Sequence, residues 1–305
     1  MLEIIGKTYI DFLGRRGLTF AVSGVLVCIG LLALVQIGRG AANLSIDFTG
    51  GTSVQITFDQ PIQIDRARQA MEQAGLQNAE LQEFAEGDRL LVRVKSSTSV
   101  EEKLTDRIIS ALHDAFPGHQ VTVETTSEIG PTIGQKLRQD AWTAIGISLV
   151  GIILYISARF EFRFGIAAAV AMVHDVLVVL GLFYLLNKEI TLLVVTALLT
   201  LAGYSLTDKV VVFDRIRENM RGRRREAIEA IINSGINQVL SRTIVTSLTV
   251  VLVLIPLALF GGDVLHDFSL ALLWGVIVGT YSSVFVASPL LLVLPGGQGR
   301  LLARR

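Results

Sequence analysis

Six stretches of this chain are apolar for about 20 residues, the length that carries a helix across the roughly 30 Å hydrocarbon core of a bilayer. They are Leu18 to Ile37, Ala141 to Ser157, Phe164 to Leu186, Ile190 to Phe213, Thr243 to Phe260 and Phe268 to Leu294. The pattern predicts a polytopic α-helical membrane protein with six transmembrane helices. The first stretch is too long for a cleaved signal peptide, whose apolar core is typically about 7–15 residues. It reads as a retained signal-anchor behind Lys7, Arg15 and Arg16.

Between the first two spans the hydrophobic period changes. Thr52 to Phe58 alternates as a strand does, and Asp65 to Ala74 has helical spacing that stops at Gly75. Ala79 to Phe84 and Arg89 to Lys95 read as strands joined through Glu86-Gly87-Asp88. Ser99 and Glu102 form a capping box ahead of a helix that runs to about Phe116, and Pro117-Gly118 ends it. His119 to Thr125 reads as a last strand. The order is βαββαβ, which predicts a small ferredoxin-like α+β domain. The organisation expected is residues 1–37 for the N-terminus and first helix, 38–139 for the α+β domain, 140–294 for helices two to six, and 295–305 for a tail.

Composition agrees with the pattern. Hydrophobic residues make up 51% and charged residues 18%, and mean hydropathy is +0.57. Soluble proteins carry about 25% charge, so a soluble enzyme, a disordered chain and a nucleic-acid binder are all argued against. The single cysteine, Cys28, excludes an intrachain disulfide and a Cys-cluster zinc site. The 27 basic and 27 acidic residues cancel, but they are segregated. Arg159 and Arg163 follow span two, Arg215 to Arg225 follow span four, and Arg300, Arg304 and Arg305 end the chain. The positive-inside rule then places both termini in the cytoplasm and the α+β domain on the far side. Within 214–241, Ile228, Ile231, Ile232, Val239 and Leu240 lie beside a basic start. That predicts an amphipathic helix over Arg221 to Leu240, lying on the inner membrane surface.

No metalloprotease, hydrolase-elbow or phosphate-loop motif is present, and the four histidines show no metal-ligand spacing. No enzyme activity, metal or cofactor is expected. Asp47-Phe48-Thr49-Gly50-Gly51-Thr52 reads as a turn into the first strand. The informative charges lie inside the spans. Asp208 shares a four-residue spacing with Thr196, Thr200 and Tyr204, and a carboxylate on an internal polar face meets the requirement for a proton carrier. Arg242, at the head of span five, is its natural partner, or else a snorkelling anchor. Asp175 beside His174 is a secondary relay or a structural hub. Lys209 does not face Asp208 across one helix position and is expected to point to the cytoplasmic surface; were it to pair with Asp208, it would hinder protonation of that carboxyl. Gly275, Gly279 and Ser283 form a helix-packing seam in span six, and Pro256 marks a kink site in span five.

Taken together, Ile46 to Thr52, His174-Asp175, Gly203-Tyr204-Ser205 before Asp208, Val211 to Asn219, Ser241-Arg242-Thr243, Phe260-Gly261-Gly262 and Gly275 to Pro289 resemble the SecD/SecF family of the resistance-nodulation-division superfamily, over nearly the whole chain. The resemblance implies an accessory subunit of the Sec protein-export translocase in the bacterial inner membrane, energised by the proton gradient. It implies SecD as heterodimer partner, the SecYEG channel, YajC and YidC as further partners, and a preprotein as substrate. The family's intramembrane Asp matches Asp208 and its Arg matches Arg242. The chain departs from the family in carrying Thr207 and Lys209 where Asn and a small hydroxyl residue usually flank that Asp. The alternatives are half of a proton-driven small-molecule or lipid exporter, and an assembly factor whose charges are only structural.

Overall fold

The structure, a computed structural model, describes residues 8–76, 79–83, 88–95, 104–223 and 226–294. A 3-10 turn at Leu13–Arg15 leads into α1 (Arg16–Gly38). Then come α2 (Ile46–Thr49), β1 (Gly51–Phe58), α3 (Ile64–Gln73), β2 (Ala79–Glu83), β3 (Arg89–Lys95), α4 (Leu104–Ala115) and β4 (Val121–Ile129). The remainder is helical: α5 (Pro131–Arg159), α6 (Phe162–Leu185), α7 (Leu192–Gly222), α8 (Ile228–Phe260), α9 (Gly262–Ser282), a π-helical turn (Ser283–Ala287) and α10 (Ser288–Val293). The chain divides into two compact units, residues 44–143 and the rest.

The smaller unit is a four-stranded antiparallel sheet in the order β2-β3-β1-β4. Strand β3 lies between β1 and β2, which splits the β1-α3-β2 unit. Alternation along the strands sends Val54, Ile56, Phe58, Leu90, Val92 and Val94 to one face. There they meet Ala67 and Met71 of α3 and Ile108 and Leu112 of α4. The turn ahead of β1 is a short helix capped by Ser45, whose side chain accepts from the Asp47 N–H. Gly50 and Gly51 follow with φ of +72° and +139°, values a side chain disfavours. A Cβ on Gly50 would come within 2.8 Å of Pro131 Cα, and one on Gly134 within 2.7 Å of the Gly50 nitrogen, so the two glycines let backbone meet backbone. Glu86-Gly87 and the capping box of Ser99 and Glu102 lie outside the described residues.

The larger unit holds the helices long and apolar enough to span a membrane, six among the described residues when α5's first turns are included. Helices α6, α7 and α9 supply most of its interior, while α1, α5 and α8 expose apolar faces such as Leu18, Val22, Val25, Leu252, Val253 and Leu259. The spans outrun their predicted ends. Helix α7 continues to Gly222 and α8 begins at Ile228, so the expected surface helix over Arg221 to Leu240 is not a separate element. Its apolar residues are used inside the protein. Ile232 and Ile236 are buried in a cluster with Phe164, Phe213 and Ile216. A Cβ on Gly235 would approach Ile216 to 2.8 Å. The two helices therefore form one long antiparallel hairpin.

Helix α1 crosses α6 at glycine on both sides. A Cβ on Gly30 would stand 2.2 Å from the Leu177 carbonyl oxygen, and one on Gly181 would stand 2.9 Å from the Gly30 nitrogen. Small residues at such crossings bring backbones into van der Waals contact where lipid offers no hydrophobic driving force. At the other end of α1, residues 10–16 are clasped by α8. Asn237 Nδ2 donates to the Ile10 carbonyl (2.9 Å), and its Oδ1 accepts the Ile10 N–H (2.9 Å). Asn233 Oδ1 accepts from the N–H groups of Phe12 and Leu13 (3.1 and 3.2 Å), and its Nδ2 donates to Asp11 (2.7 Å). Arg16 pairs with Glu229 at 2.6 Å.

Two outcomes are expected. Gly30→Leu should lower the thermal midpoint of the detergent-solubilised protein sharply, because backbone cannot yield as a side chain does; overpacking alone costs about 1–3 kcal/mol. Gly24→Leu, with nothing within 4 Å of its Cβ position, should leave the midpoint unchanged. The second concerns Asp11, whose carboxyl is held below the usual carboxylate range by the Gly14 N–H and then by Asn233. A depressed carboxylate stabilises the folded form above its unfolded pKa, about 3.9. That contribution is lost as pH falls through the lower folded value. A nitroxide placed at Tyr9 in a Cys28→Ser background should keep its mobility from pH 7 to pH 5 and become mobile only in stronger acid.

Candidate intramembrane charge site

The interior of the larger unit contains a salt bridge. Asp175 of α6 and Lys209 of α7 are both 0% exposed, and Lys209 Nζ donates to Asp175 Oδ2 at 2.6 Å. Ser205 lies one turn before Lys209 on α7, so i,i+4 spacing puts both on one face. Ser282, the last residue of α9, arrives from a third helix. Lys209 donates to the hydroxyls of Ser205 and Ser282, the latter at 2.9 Å. Its three ammonium protons thus have three acceptors. Asp175 Oδ2 also accepts from Ser205 and from Ser282 (2.9 Å), and Oδ1 faces His174 Nδ1 at 2.9 Å. His174 Nε2 is buried without a hydrogen-bond partner among the described residues.

The third helix reaches this cluster at its π-helical turn. Such turns carry one residue more per hydrogen-bonded ring than an α-helix and recur at functional sites. Serine hydroxyls occupy the surrounding carbonyls: Ser283 Oγ donates to the Gly279 carbonyl (2.9 Å) and Ser288 Oγ to the Ser283 carbonyl (2.8 Å). Gly275 and Gly279 lie where α9 crosses α7. A Cβ on Gly275 would come within 2.5 Å of Leu201, and one on Gly279 within 3.3 Å of Ser205. Ser283 continues that face into the π turn.

Asp208 precedes Lys209 in sequence but looks elsewhere. Its carboxyl lies beside Thr243 of α8 and Ser283 of the π turn. Asp208 Oδ2 and Thr243 Oγ1 are both buried without a hydrogen-bond partner among the described residues. A buried polar atom left unpaired costs about 1–3 kcal/mol, so this carboxyl stands out from the saturated cluster next to it. One turn outward, Tyr204 donates to Ser247 (3.4 Å), which shares a 2.5 Å hydrogen bond with Thr280.

The structure does not bring Arg242 to Asp208. Arg242 is exposed on α8, and no ion pair joins the two among the described residues. Thr243 is buried instead, and one residue further along a helix is a rotation of about 100°. Lys209 is the other departure: it turns inward to Asp175, away from any surface. That arrangement makes Asp175 the hub of three helices. Thr196 and Thr200 are exposed and bond back to their own helix carbonyls, so only the inner part of the predicted polar face, from Tyr204 to Asp208, is turned inward. No group of three metal-ligating side chains occurs among the described residues. Sequence reading missed the Asp175–Lys209 pair. The one signal available was an acidic and a basic residue, each unexplained, in neighbouring apolar spans.

Residues 108–296 match the family described as protein export membrane protein SecD/SecF, C-terminal, and residues 42–62 match the SecD/SecF GG motif. The chain belongs to the SecD/SecF family. A protein translocase subunit SecF from Thermodesulfovibrio yellowstonii is 47% identical over 306 residues, covering 100% of both chains. Another from Magnetococcus marinus is 42% identical over 99% of this chain and 97% of that one. Among solved structures, the translocon-associated membrane protein SecDF from Thermus thermophilus superposes with a TM-score of 0.83 at 34% identity. The match covers 96% of this chain and 39% of SecDF, so the chain spans well under half of that protein. A super-membrane-facing form of SecDF gives a TM-score of 0.69. These relationships make the chain a multi-pass inner-membrane protein and an accessory subunit of the Sec translocase. They do not favour the small-molecule exporter.

Removing one partner of the buried pair should be costly. Lys209→Met leaves Asp175 as an uncompensated interior carboxylate, a change that costs about 3–5 kcal/mol. The purified variant should show a clear fall in thermal midpoint. Arg242→Met, at an exposed position, should not.

Proposed function

We propose that this chain couples the proton gradient to late steps of preprotein export, with Asp208 as the proton-carrying group. The observation that supports this is the contrast between two adjacent residues. Lys209 has every proton committed to an acceptor, while Asp208 keeps a buried oxygen without a partner beside two hydroxyls. A carboxyl with one oxygen uncommitted can bind and release a proton there, and ionisable residues inside spans mark such paths. One elementary charge crossing the membrane supplies about 2.3 kcal/mol per 100 mV. That amount can bias a two-state arrangement of packed helices by a few kcal/mol.

SecD is the partner in this reading. Thr207 of α7 and Arg242, Thr246 and Thr249 of α8 are polar, exposed and within spans. The three threonines bond back to carbonyls of their own helices, which leaves Arg242 as the group that lipid cannot satisfy and a second helical bundle can. SecDF, in which this chain's counterpart is 39% of the polypeptide, supports that partnership. In the ionised state Arg242 is the cation available from α8, reached by a rotation of that helix. The basic ends of α5 and α7, with Arg159, Arg215, Arg217 and Arg221, face the cytoplasm with both termini by the positive-inside rule. The α+β unit then stands on the opposite side, where the emerging preprotein is. The channel it serves is SecYEG.

Asp208→Asn keeps the size and hydrogen-bonding capacity of the side chain but cannot exchange a proton. In inverted membrane vesicles carrying SecYEG and SecD, the variant should accumulate normally. It should translocate preprotein at a rate that no longer responds to the proton gradient, a loss of roughly tenfold or more in the gradient-dependent component, as for removal of a proton-transfer group. Undiminished gradient-dependent translocation by this variant would remove Asp208 from the mechanism.

A further inference from the structure

The neighbour of a proton-binding carboxyl matters as much as the carboxyl itself. Here the neighbour is a lysine, on a four-carbon stem long enough to fold toward either flank of α7. Two carboxyls lie within its compass in the interior of the spans, Asp208 beside it in the chain and Asp175 on the facing helix. An ammonium not engaged by Asp175 would add its positive charge to the field at Asp208 and favour the ionised carboxylate.

We propose that Asp175 is a positioning residue for proton coupling: by engaging Lys209 it keeps the ammonium away from Asp208, which stays free to take up and release a proton. Three features carry this inference, which rests on the reading of Asp208 as the proton carrier. The first is saturation. Lys209 Nζ is held by Asp175 from α6, Ser205 from its own helix and Ser282 from α9, so all three protons are directed away from Asp208. The second is the state of Asp208, whose Oδ2 has no hydrogen-bond partner among the described residues although an ammonium belongs to the next residue. The third is the support behind Asp175. His174 and two serine hydroxyls fix its carboxylate, so it is a stiffer acceptor for the ammonium than an unsupported carboxyl would be.

The charged or titratable groups toward Asp208 are few. Lys209 comes from its own helix and Asp175, backed by His174, from α6. Helix α8 contributes the Thr243 hydroxyl and the π turn the Ser283 hydroxyl, and Arg242 on α8 is exposed with no ion pair to Asp208. Among the described residues Lys209 is therefore the cation whose placement decides the field at Asp208 in this arrangement.

The test uses the full chain with SecD in proteoliposomes or inverted vesicles, and four variants: Asp175→Asn, Lys209→Thr, the double variant, and Asp208→Asn. The first readout is labelling of Asp208 by dicyclohexylcarbodiimide at pH 7, quantified on the peptide, since the reagent reacts with protonated intramembrane carboxyls. The second is the pH profile of gradient-driven export. Asp175→Asn should reduce labelling at Asp208 fivefold or more and move the export profile toward acid, because the released ammonium turns to Asp208. The double variant, with no ammonium to restrain, should return both readouts to within about twofold of wild type.

A uniform loss of export in Asp175→Asn with unchanged labelling and an unshifted profile would overturn the proposal. So would a double variant that accumulates but performs no better than Asp175→Asn, since Asp175 would then act in its own right. If Asp175→Asn fails to accumulate, the double variant alone decides between these outcomes. Asp208→Asn separates the two levels of the argument: if it retains gradient-driven export, the reading of Asp208 itself fails.

Discussion

An ammonium ion enclosed between helices must be neutralised where it stands, because the desolvation of a charge that finds no partner costs several kcal/mol. That requirement organises the interior of the larger unit. Lys209 can be enclosed only if Asp175 of α6 is opposite it, if Ser205 lies one turn earlier on α7, and if the end of α9 brings Ser282 within reach. These conditions fix the register of three helices at once. The glycines of α9 serve the same end, since Gly275 and Gly279 let that helix approach α7 closely enough for a short serine side chain to reach the ion pair. The net contribution of the pair to stability need not be large, because buried ion pairs are often no better than apolar packing. Its effect is on specificity, since any other alignment of α6, α7 and α9 strands a charge.

The same pair separates two chemistries that adjoin in sequence. On one flank of α7 the polar groups are committed to one another. On the other flank Asp208 and Thr243 retain unsatisfied oxygens. A helix turns about 100° per residue, and that rotation is enough to put a closed cluster and an open carboxyl on neighbouring positions. The closed pair and the open carboxyl are thus kept apart by that rotation together with the Asp175 carboxylate that engages the ammonium.

Much of this was legible from the sequence because lipid and water impose simple rules. Apolar length gave the six spans, and the change from period 3.6 to period 2 gave the βαββαβ succession, including the bounds of β3 at Arg89 and Lys95. The turn at Gly50-Gly51 was legible because a chain reversal needs positive φ. What failed was reasoning that treated one helix at a time. The stretch from Arg221 to Leu240 looked like a surface helix because its apolar residues had no visible destination; they meet Phe213 and Ile216 of the preceding helix, which itself extends beyond its expected end. Lys209 was assigned outward because its counter-ion is 34 residues away on another span. Asp208 and Arg242 were joined because they fall at similar depth, but depth does not determine rotation, and Thr243 has the inward position. Pairings between helices depend on azimuth, and a single sequence carries little information about it.

The clasp between the N-terminal segment and α8 has a consequence for how the protein is made. Its hydrogen bonds join residues 220 to 227 positions apart. Asn233 and Asn237 leave the ribosome only after four spans and the whole α+β unit have been synthesised. The clasp therefore cannot help to orient the first helix during insertion; that task falls to the basic residues flanking it. It forms only once the fifth helix is in place, and closing so long a loop is a late step in assembly. Protection of residues 10–13 would thus mark arrival of the fifth span, a chronological signal that the chain carries within itself.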